Sequence, residues 1–298
     1  MRPSHWSKNA FVFAALIFGR KLAGPIDDVL LTIASAAGAF LCFSLAASAV
    51  YIFNDIIDIE ADKLHPEKCK RPITAGTVSV GASGVLSILC AAAALIGSFM
   101  LVREFAIIIF AYIGLMILYS LLLKRMIILD CIVISVGFCL RAVAGAIVVG
   151  VFISPWLIIC TFALCLFLGF GKRRSEIAQL REDSESFRAT LADYTPELLA
   201  HMLDVTSGLA IVCFLLYSMD DQTLRLFGTN NLVYTTPLVM YCIFRFSALI
   251  QKGTYSDPVQ LILKDRPFQA GLVLWGLFCI VIIYAGKLGI NLGAIWAY

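Results

Sequence analysis

Long apolar runs, each closed by a short polar cluster, repeat from one end of this chain to the other. Residues 29–53, 78–102, 105–123, 127–151, 152–171, 198–219, 232–250 and 268–287 each come close to the roughly 20 apolar residues a helix needs to cross a bilayer. Residues 10–18 form a shorter run between Lys8 and the pair Arg20-Lys21, whose long side chains can snorkel to an interface, and it counts as the first span. Its basic flank and short apolar core also resemble a secretion signal, but no small-x-small cleavage site follows convincingly. The pattern predicts an all-α polytopic membrane protein, with nine transmembrane helices in a single domain over residues 1–298 and a polar cap on one side.

Composition agrees. Of 298 residues, 61% are hydrophobic and 14% charged, and the mean hydropathy of +0.92 excludes an ordinary soluble domain. Alternating the loops across nine spans puts sixteen of the 23 Lys and Arg on one side and five on the other, with Arg141 and Arg245 inside spans. By the positive-inside rule the richer side is cytoplasmic, so the polar cap is expected to face the cytoplasm. Membrane lipids are expected partners and nucleic acid is not, while a homo-oligomer is left open. Nine of the ten cysteines fall in apolar runs and no C-x-x-C occurs, so they read as small core residues. His5, His65 and His201 are too dispersed for a zinc site.

The exception to this apolar text is Asn54-Asp55-Ile56-Ile57-Asp58-Ile59-Glu60-Ala61-Asp62-Lys63-Leu64-His65, directly after the second run and followed by Lys70-Arg71-Pro72. If the helix continues at about 3.6 residues per turn, Asn54, Asp55, Asp58, Asp62 and His65 share one face, and Glu60 and Glu67 take the other. Three clustered carboxylates at a membrane interface repel one another unless a cation neutralises them. Hard oxygen ligands suit Mg2+, which stays partly hydrated and shared with substrate phosphates, so the stretch predicts a Mg2+-diphosphate site.

A second polar extension begins where the sixth run ends, at Gly171-Lys172-Arg173-Arg174-Ser175-Glu176, with Lys172, Glu176, Gln179 and Asp183 on one helical face. Alternation of spans delivers it to the same side as the acid motif. Residues 181–193 are mixed in charge and fit either the rest of that helix or an amphipathic surface segment. Arg141, mid-span, must face the bundle interior and an anionic partner, either a protein carboxylate or a substrate phosphate, and Arg245 carries the same two readings. Lys124-Arg125 fits a positive-inside anchor or a phosphate ligand, and residues 252–267 fit a connector or a lid.

With Arg2-Pro3-x-x-Trp6-x-Lys8-Asn9, Ser48-Ala49-Val50-Tyr51, His65-Pro66, Lys70-Arg71-Pro72-Ile73, Arg141-Ala142-x-Ala144-Gly145 and Lys264-Asp265-Arg266, these motifs resemble UbiA-type intramembrane prenyltransferases nearly end to end. That superfamily carries N-D-x-x-D-x-x-x-D after the second of nine helices, matched here by Asn54, Asp55, Asp58 and Asp62. Members acting on aromatic acceptors carry a second aspartate-rich motif after the sixth helix, and this chain has Lys172-Arg173-Arg174-Ser175-Glu176 instead. The departure resembles the decaprenyl-phosphate phosphoribosyltransferase branch, which moves 5-phosphoribose from phosphoribosyl diphosphate (PRPP) to a polyprenyl phosphate.

The resemblance implies Mg2+ on Asn54, Asp55, Asp58 and Asp62, catalytic roles for Asp55, Asp58 and Glu176, and substrate contacts from Lys8, Tyr51, His65, Lys70, Arg71, Lys124, Arg141, Lys172 and Arg173. Glu176 either completes the metal site or orients Lys172. Charge arithmetic agrees, since PRPP and a lipid phosphate bring three anionic centres and need more cations than a prenyl diphosphate with a neutral acceptor. Two alternatives share much of this text: a polyprenyl transferase acting on an aromatic or haem-like acceptor, and a transporter whose ion path includes Arg141.

Overall fold

In hydrocarbon a backbone must satisfy its N–H and C=O groups within its own segment, and apolar runs of this length do so as helices. The structure, a computed structural model, describes residues 3–22, 24–64, 68–180, 193–253 and 258–285. Among these no strand occurs. Eight helices among the described residues are long and apolar enough to cross a membrane. The first expected span is shorter than that: Pro3–Phe13 winds as a 3-10 helix into α1 (Ala14–Phe18), and its apolar part, Lys8–Phe18, falls below span length. Arg20, held at φ 56°, turns the chain before a second stretch of helix can add to it. The membrane bundle is as expected, with eight span-length helices and a short N-terminal one in place of nine spans.

The helices group into two compact units, Met1–Leu16 with Ile26–Phe152 and Ile17–Pro25 with Ile153–Tyr298. The first holds α2 (Ile26–Ile57), α3 (Ile59–Lys63), α4 (Val80–Leu101), α5 (Arg103–Leu121) and α6 (Leu129–Val149). Small residues let α2 and α4 approach closely: Ala39, Ala46 and Ala94 are fully buried, and a Cβ on Gly97 would stand 3.1 Å from Cys42 Sγ. Phe43, Phe105 and Tyr112 fill the centre, with Phe43 edge-on to Tyr112 at 5.3 Å between ring centroids. The outward faces carry Ile88, Phe99, Ile107 and Phe110, all exposed, an arrangement that suits lipid and would be an adhesive patch in water. Ser79 caps α4 by accepting a hydrogen bond from the Ala82 amide at 3.2 Å.

The second unit holds α7 (Pro155–Leu180), α8 (Pro196–Met219), α9 (Asp221–Phe227), α10 (Thr236–Gln251), α11 (Pro258–Lys264) and α12 (Arg266–Ala285). The restart expected at Tyr194-Thr195-Pro196 is the start of α8: Thr195 Oγ1 accepts from the Leu198 amide at 3.1 Å, and Pro196 takes a first-turn position where no N–H is needed. Phe167 and Phe246, 5.0 Å apart, pack α7 to α10, and Gly171 leaves room for the Phe246 ring. Most of the mixed-charge stretch expected over 181–193, and residues 254–257 of the expected lid, lie outside the described residues. Seven of the ten cysteines are buried and the other three half-buried, which suits small packing residues.

Candidate functional site

Helix α2 is 32 residues long, about 48 Å at 1.5 Å per residue, and outruns a hydrocarbon core of about 30 Å. Its last turn therefore carries Asn54 and Asp55 into an interfacial setting. The helix loosens at Asp58, whose φ of −94° and ψ of 9° lie in the bridge region, and α3 then resumes. The register survives, because the Asp58 amide donates to the Asn54 carbonyl at 2.9 Å and the Asp62 amide to the Asp58 carbonyl at 2.7 Å. The one-sided carboxylate face predicted from spacing is kept across a local break that the spacing did not reveal. His65, the last residue assigned to that face, lies outside the described residues.

After the 3-10 turn Lys68–Lys70 the chain folds tightly on itself: the Ala75 amide reaches the Arg71 carbonyl at 2.7 Å, and Gly76 adopts φ 74°. This turn aims Arg71 back at the motif. Its Nη1 donates to Asp55 Oδ1 at 3.1 Å and also to Asp62 Oδ2. From a different element, the 3-10 turn Leu123–Arg125 after α5, Lys124 donates to Asp58 Oδ1, while Asn54 Nδ2 donates to Asp58 Oδ2 at 3.0 Å. Three carboxylates and two cations thus interlock, leaving one negative charge in excess. Asp55 and Asp62 are buried, and Asp58 is the most open of the three, with 24% of its side chain exposed. Lys8 and Tyr51 are half-buried and Lys70 is exposed.

Arg141 is held within the first unit by neutral groups. It is 5% exposed, and its bonds run to neutral acceptors: Nε to Asn9 Oδ1 at 2.7 Å, Nη1 to the Gly137 carbonyl at 2.7 Å and Nη2 to the Tyr112 hydroxyl at 2.8 Å. The rings of Tyr112, Phe138 and Phe43 lie 4.7, 5.2 and 5.6 Å from its central carbon and help compensate its burial, where the sequence had offered a protein carboxylate or a substrate phosphate. Asn9 in turn donates to Ser44 at 3.1 Å, and Trp6 to Ser48 at 3.2 Å, so the cluster fastens the N-terminal helix into the first unit. Asn9 and Tyr112 carry no role in the sequence reading. A polar side chain in apolar text was the available signal.

In the second unit the polar end of α7 pairs Arg173 with Glu176, where spacing had offered Glu176 to Lys172 or a metal. Arg173 is buried, Lys172 is exposed, and Arg174 donates to the Pro196 carbonyl at 3.0 Å. Arg245 finds a protein carboxylate, gripping Asp265 through Nε at 2.7 Å and Nη2 at 2.8 Å, and Asp265 also accepts from the Phe268 amide at 2.7 Å. The Arg245 hydrogen bonds hold the Asp265 carboxyl below its ordinary range, with burial opposing and the Phe268 amide assisting. A carboxylate with a depressed folded pKa stabilises fully above its unfolded value and loses that contribution as pH falls through the folded one. Hydrogen exchange at the Phe268 amide, normalised to its intrinsic rate, is therefore expected to stay protected down to a lower pH in the native protein than in Arg245→Met. Equal onset in both proteins would show that the pair does not hold this corner.

A bundle of span-length helices carries this interlocked acid-base motif at the end of a long helix, and residues 10–264 match the model of the UbiA prenyltransferase family. The chain belongs to that family and is a membrane-embedded transferase. It is 31% identical over 283 residues to the decaprenyl-phosphate phosphoribosyltransferase of Mycolicibacterium smegmatis, covering 92% of this chain and 88% of that one. It is also 32% identical over 286 residues to the enzyme of the same name from Corynebacterium glutamicum, covering 94% and 84%. Among solved structures it shares the fold of a UbiA homolog from Archaeoglobus fulgidus bound to GPP and Mg2+, with a TM-score of 0.65, 16% identity, and 95% and 97% of the two chains covered.

Proposed function

We propose that this transferase moves 5-phosphoribose from PRPP to a polyprenyl phosphate, releasing diphosphate, at the cytoplasmic face of a bacterial inner membrane. The observation that carries the reading is the locking of Asp55, Asp58 and Asp62 to Arg71 and Lys124, a site with both the acids for a metal and the bases for phosphates. Likeness to two decaprenyl-phosphate phosphoribosyltransferases over most of the chain supports the choice of sugar donor and lipid acceptor. The loop-charge bias supports the membrane side.

The donor set suits a hard divalent ion. Asp55 and Asp62 already bracket one cationic nitrogen, that of Arg71, so the space between them accepts positive charge. Among the described residues no three acid, histidine or cysteine side chains stand together so as to hold a metal ion by themselves, so an ion here would need oxygens from water and a substrate phosphate as well. Asn54, Asp55, Asp58 and Asp62 would hold it, and when bound it would supply neutralising charge to the departing diphosphate. Arg71 and Lys124 are assigned to phosphate oxygens. In the second unit, Lys172 is assigned to a substrate phosphate by its exposed charge, and Arg173 by a guanidinium that Glu176 orients.

In the reaction, an oxygen of the lipid phosphate attacks ribose C1 on the face opposite the diphosphate. The new C1–O bond forms as the C1–O bond to diphosphate breaks, with inversion at C1. The nucleophile is already anionic at neutral pH, so no side chain has to remove a proton, and positioning with electrostatics carries the rate.

The test is incubation of the purified protein with polyprenyl phosphate, Mg2+ and PRPP labelled in its ribose. Label is expected in the chloroform-soluble fraction, in equal molar amount to released diphosphate. Absence of lipid label together with prenyl transfer to an aromatic acid would overturn the reading.

A further inference from the structure

We infer that Arg71 and Lys124 are built-in counter-ions that close the acid motif to a bare divalent ion, so that metal and diphosphate enter only together. The inference rests on the reading of this motif as the metal-diphosphate site. It starts from where the two bases come from. Arg71 arrives on a turn that folds back after α3, Lys124 on a turn that follows α5, and each ends on carboxylates of the α2–α3 segment. One guanidinium nitrogen spans Asp55 and Asp62, and one ammonium sits on Asp58. The positions a metal would take between these oxygens are held by the protein's own positive charge.

A metal ion arriving alone must push both bases aside, which leaves two cations and a divalent ion in one half-buried cluster with no added anion to balance them. Like charges at such separations repel strongly where the surroundings are less polar than water. A metal ion arriving with diphosphate faces the reverse situation, because the diphosphate oxygens accept the displaced guanidinium and ammonium as charge-assisted hydrogen-bond donors. The side chains of Arg71 and Lys124 are 23% and 16% exposed, so neither base is sealed from solvent. Neither ligand then binds well without the other, and thermodynamic linkage requires the two enhancements to be equal.

The experiment measures Mn2+ binding to the purified full chain in detergent by electron paramagnetic resonance, with and without inorganic diphosphate and with no turnover. In the native protein diphosphate is expected to tighten Mn2+ binding by about 5- to 150-fold, and Mn2+ to tighten diphosphate binding by the same factor. Arg71→Gln and Lys124→Gln are each expected to bind Mn2+ alone more tightly than the native protein and to show a smaller enhancement. Arg71→Lys, which keeps the charge, is expected to behave as the native protein does. Lys124→Gln serves as the second reporter if Arg71→Gln fails to fold, because Asp58 is the more open acid. Mn2+ alone binding no more tightly to either folded glutamine variant overturns the inference while leaving the metal site standing. Failure of the native protein to bind Mn2+ even with diphosphate removes both the inference and the metal-site reading beneath it.

Discussion

Asp58→Ala is expected to lower phosphoribosyl transfer by about 10²- to 10³-fold or more while leaving the helical bundle folded, because its carboxylate serves a site and not the core. The side chain is a quarter exposed, and its partners Lys124 and Asn54 are themselves only partly buried, so removing it frees two groups that water can reach. Partly exposed ion pairs of this kind contribute about 0–1 kcal/mol to stability. On the proposed reading the chemical loss is far larger: Asp58 sits between the two halves of the motif, at the point where the helix loosens, and would help hold the ion that neutralises a leaving group whose negative charge grows as the C1–O bond breaks. Glu60→Ala provides the control, since Glu60 lies one turn from its partner Lys63, is exposed, and belongs to the opposite helical face. The measurement is initial rate at saturating PRPP and polyprenyl phosphate, beside a thermal unfolding curve in the same detergent. Turnover of Asp58→Ala within about tenfold of the native rate, with the two melts coincident, would remove Asp58 from the site, since a missing electrostatic group is worth more than that.

Much of this architecture was legible in the sequence because a bilayer enforces it residue by residue. Eight of nine apolar runs became span-length helices, since a continuous run of that length has no other way to satisfy its backbone. Residues 10–18 form a shorter apolar helix, which begins as a 3-10 helix and ends at a turn beside Arg20 and Lys21. The acid motif was legible from spacing, and Asp55 and Asp62, seven residues apart, do meet the same guanidinium.

The choice of partners was much less legible, for a physical reason. Spacing along one helix fixes which side chains share a face, but the opposing group arrives from elsewhere in the chain. Lys124 reaches Asp58 across 66 positions, Asn9 reaches Arg141 across 132, and Arg245 and Asp265 are 20 apart. For Arg141 the rule that a buried cation needs an anion offered a protein carboxylate or a substrate phosphate, whereas the protein groups around it are three neutral acceptors and three aromatic faces. The pairing of Glu176 with Arg173 was within reach of spacing, as i and i+3 are neighbours on a helix, but the stretch offered Lys172 at i−4 equally well.

The Arg141 cluster sets the second large effect, which falls on stability. Gly145→Ala is expected to destabilise the first unit by about 2–6 kcal/mol, the sum of an overpacking cost and the loss of an acceptor for a buried charge. A Cβ built on Gly145 would overlap the Val12 carbonyl oxygen and stand 2.9 Å from its carbon and 3.0 Å from its Cα. These are backbone atoms of a fully buried residue, so no rotamer change relieves the clash and the N-terminal helix itself must retreat from α6. Asn9 lies on that helix three residues before Val12, and Arg141 lies one turn before Gly145 on α6, so the retreat stretches the 2.7 Å bond between them. Asn9→Ala removes the same bond without a clash and should cost only the smaller part, about 1–3 kcal/mol. Because both substitutions break one interaction, the double variant should lose less than the sum of the two. Gly114→Ala, on α5 with nothing within 4 Å of the added carbon, should be neutral or slightly stabilising. Reaction of a thiol dye with buried Cys42 and Cys131 during a thermal ramp reports unfolding of this unit. If Gly145→Ala melted together with Gly114→Ala, the N-terminal helix could not be seated against α6, and Arg141 would need another means of tolerating its burial.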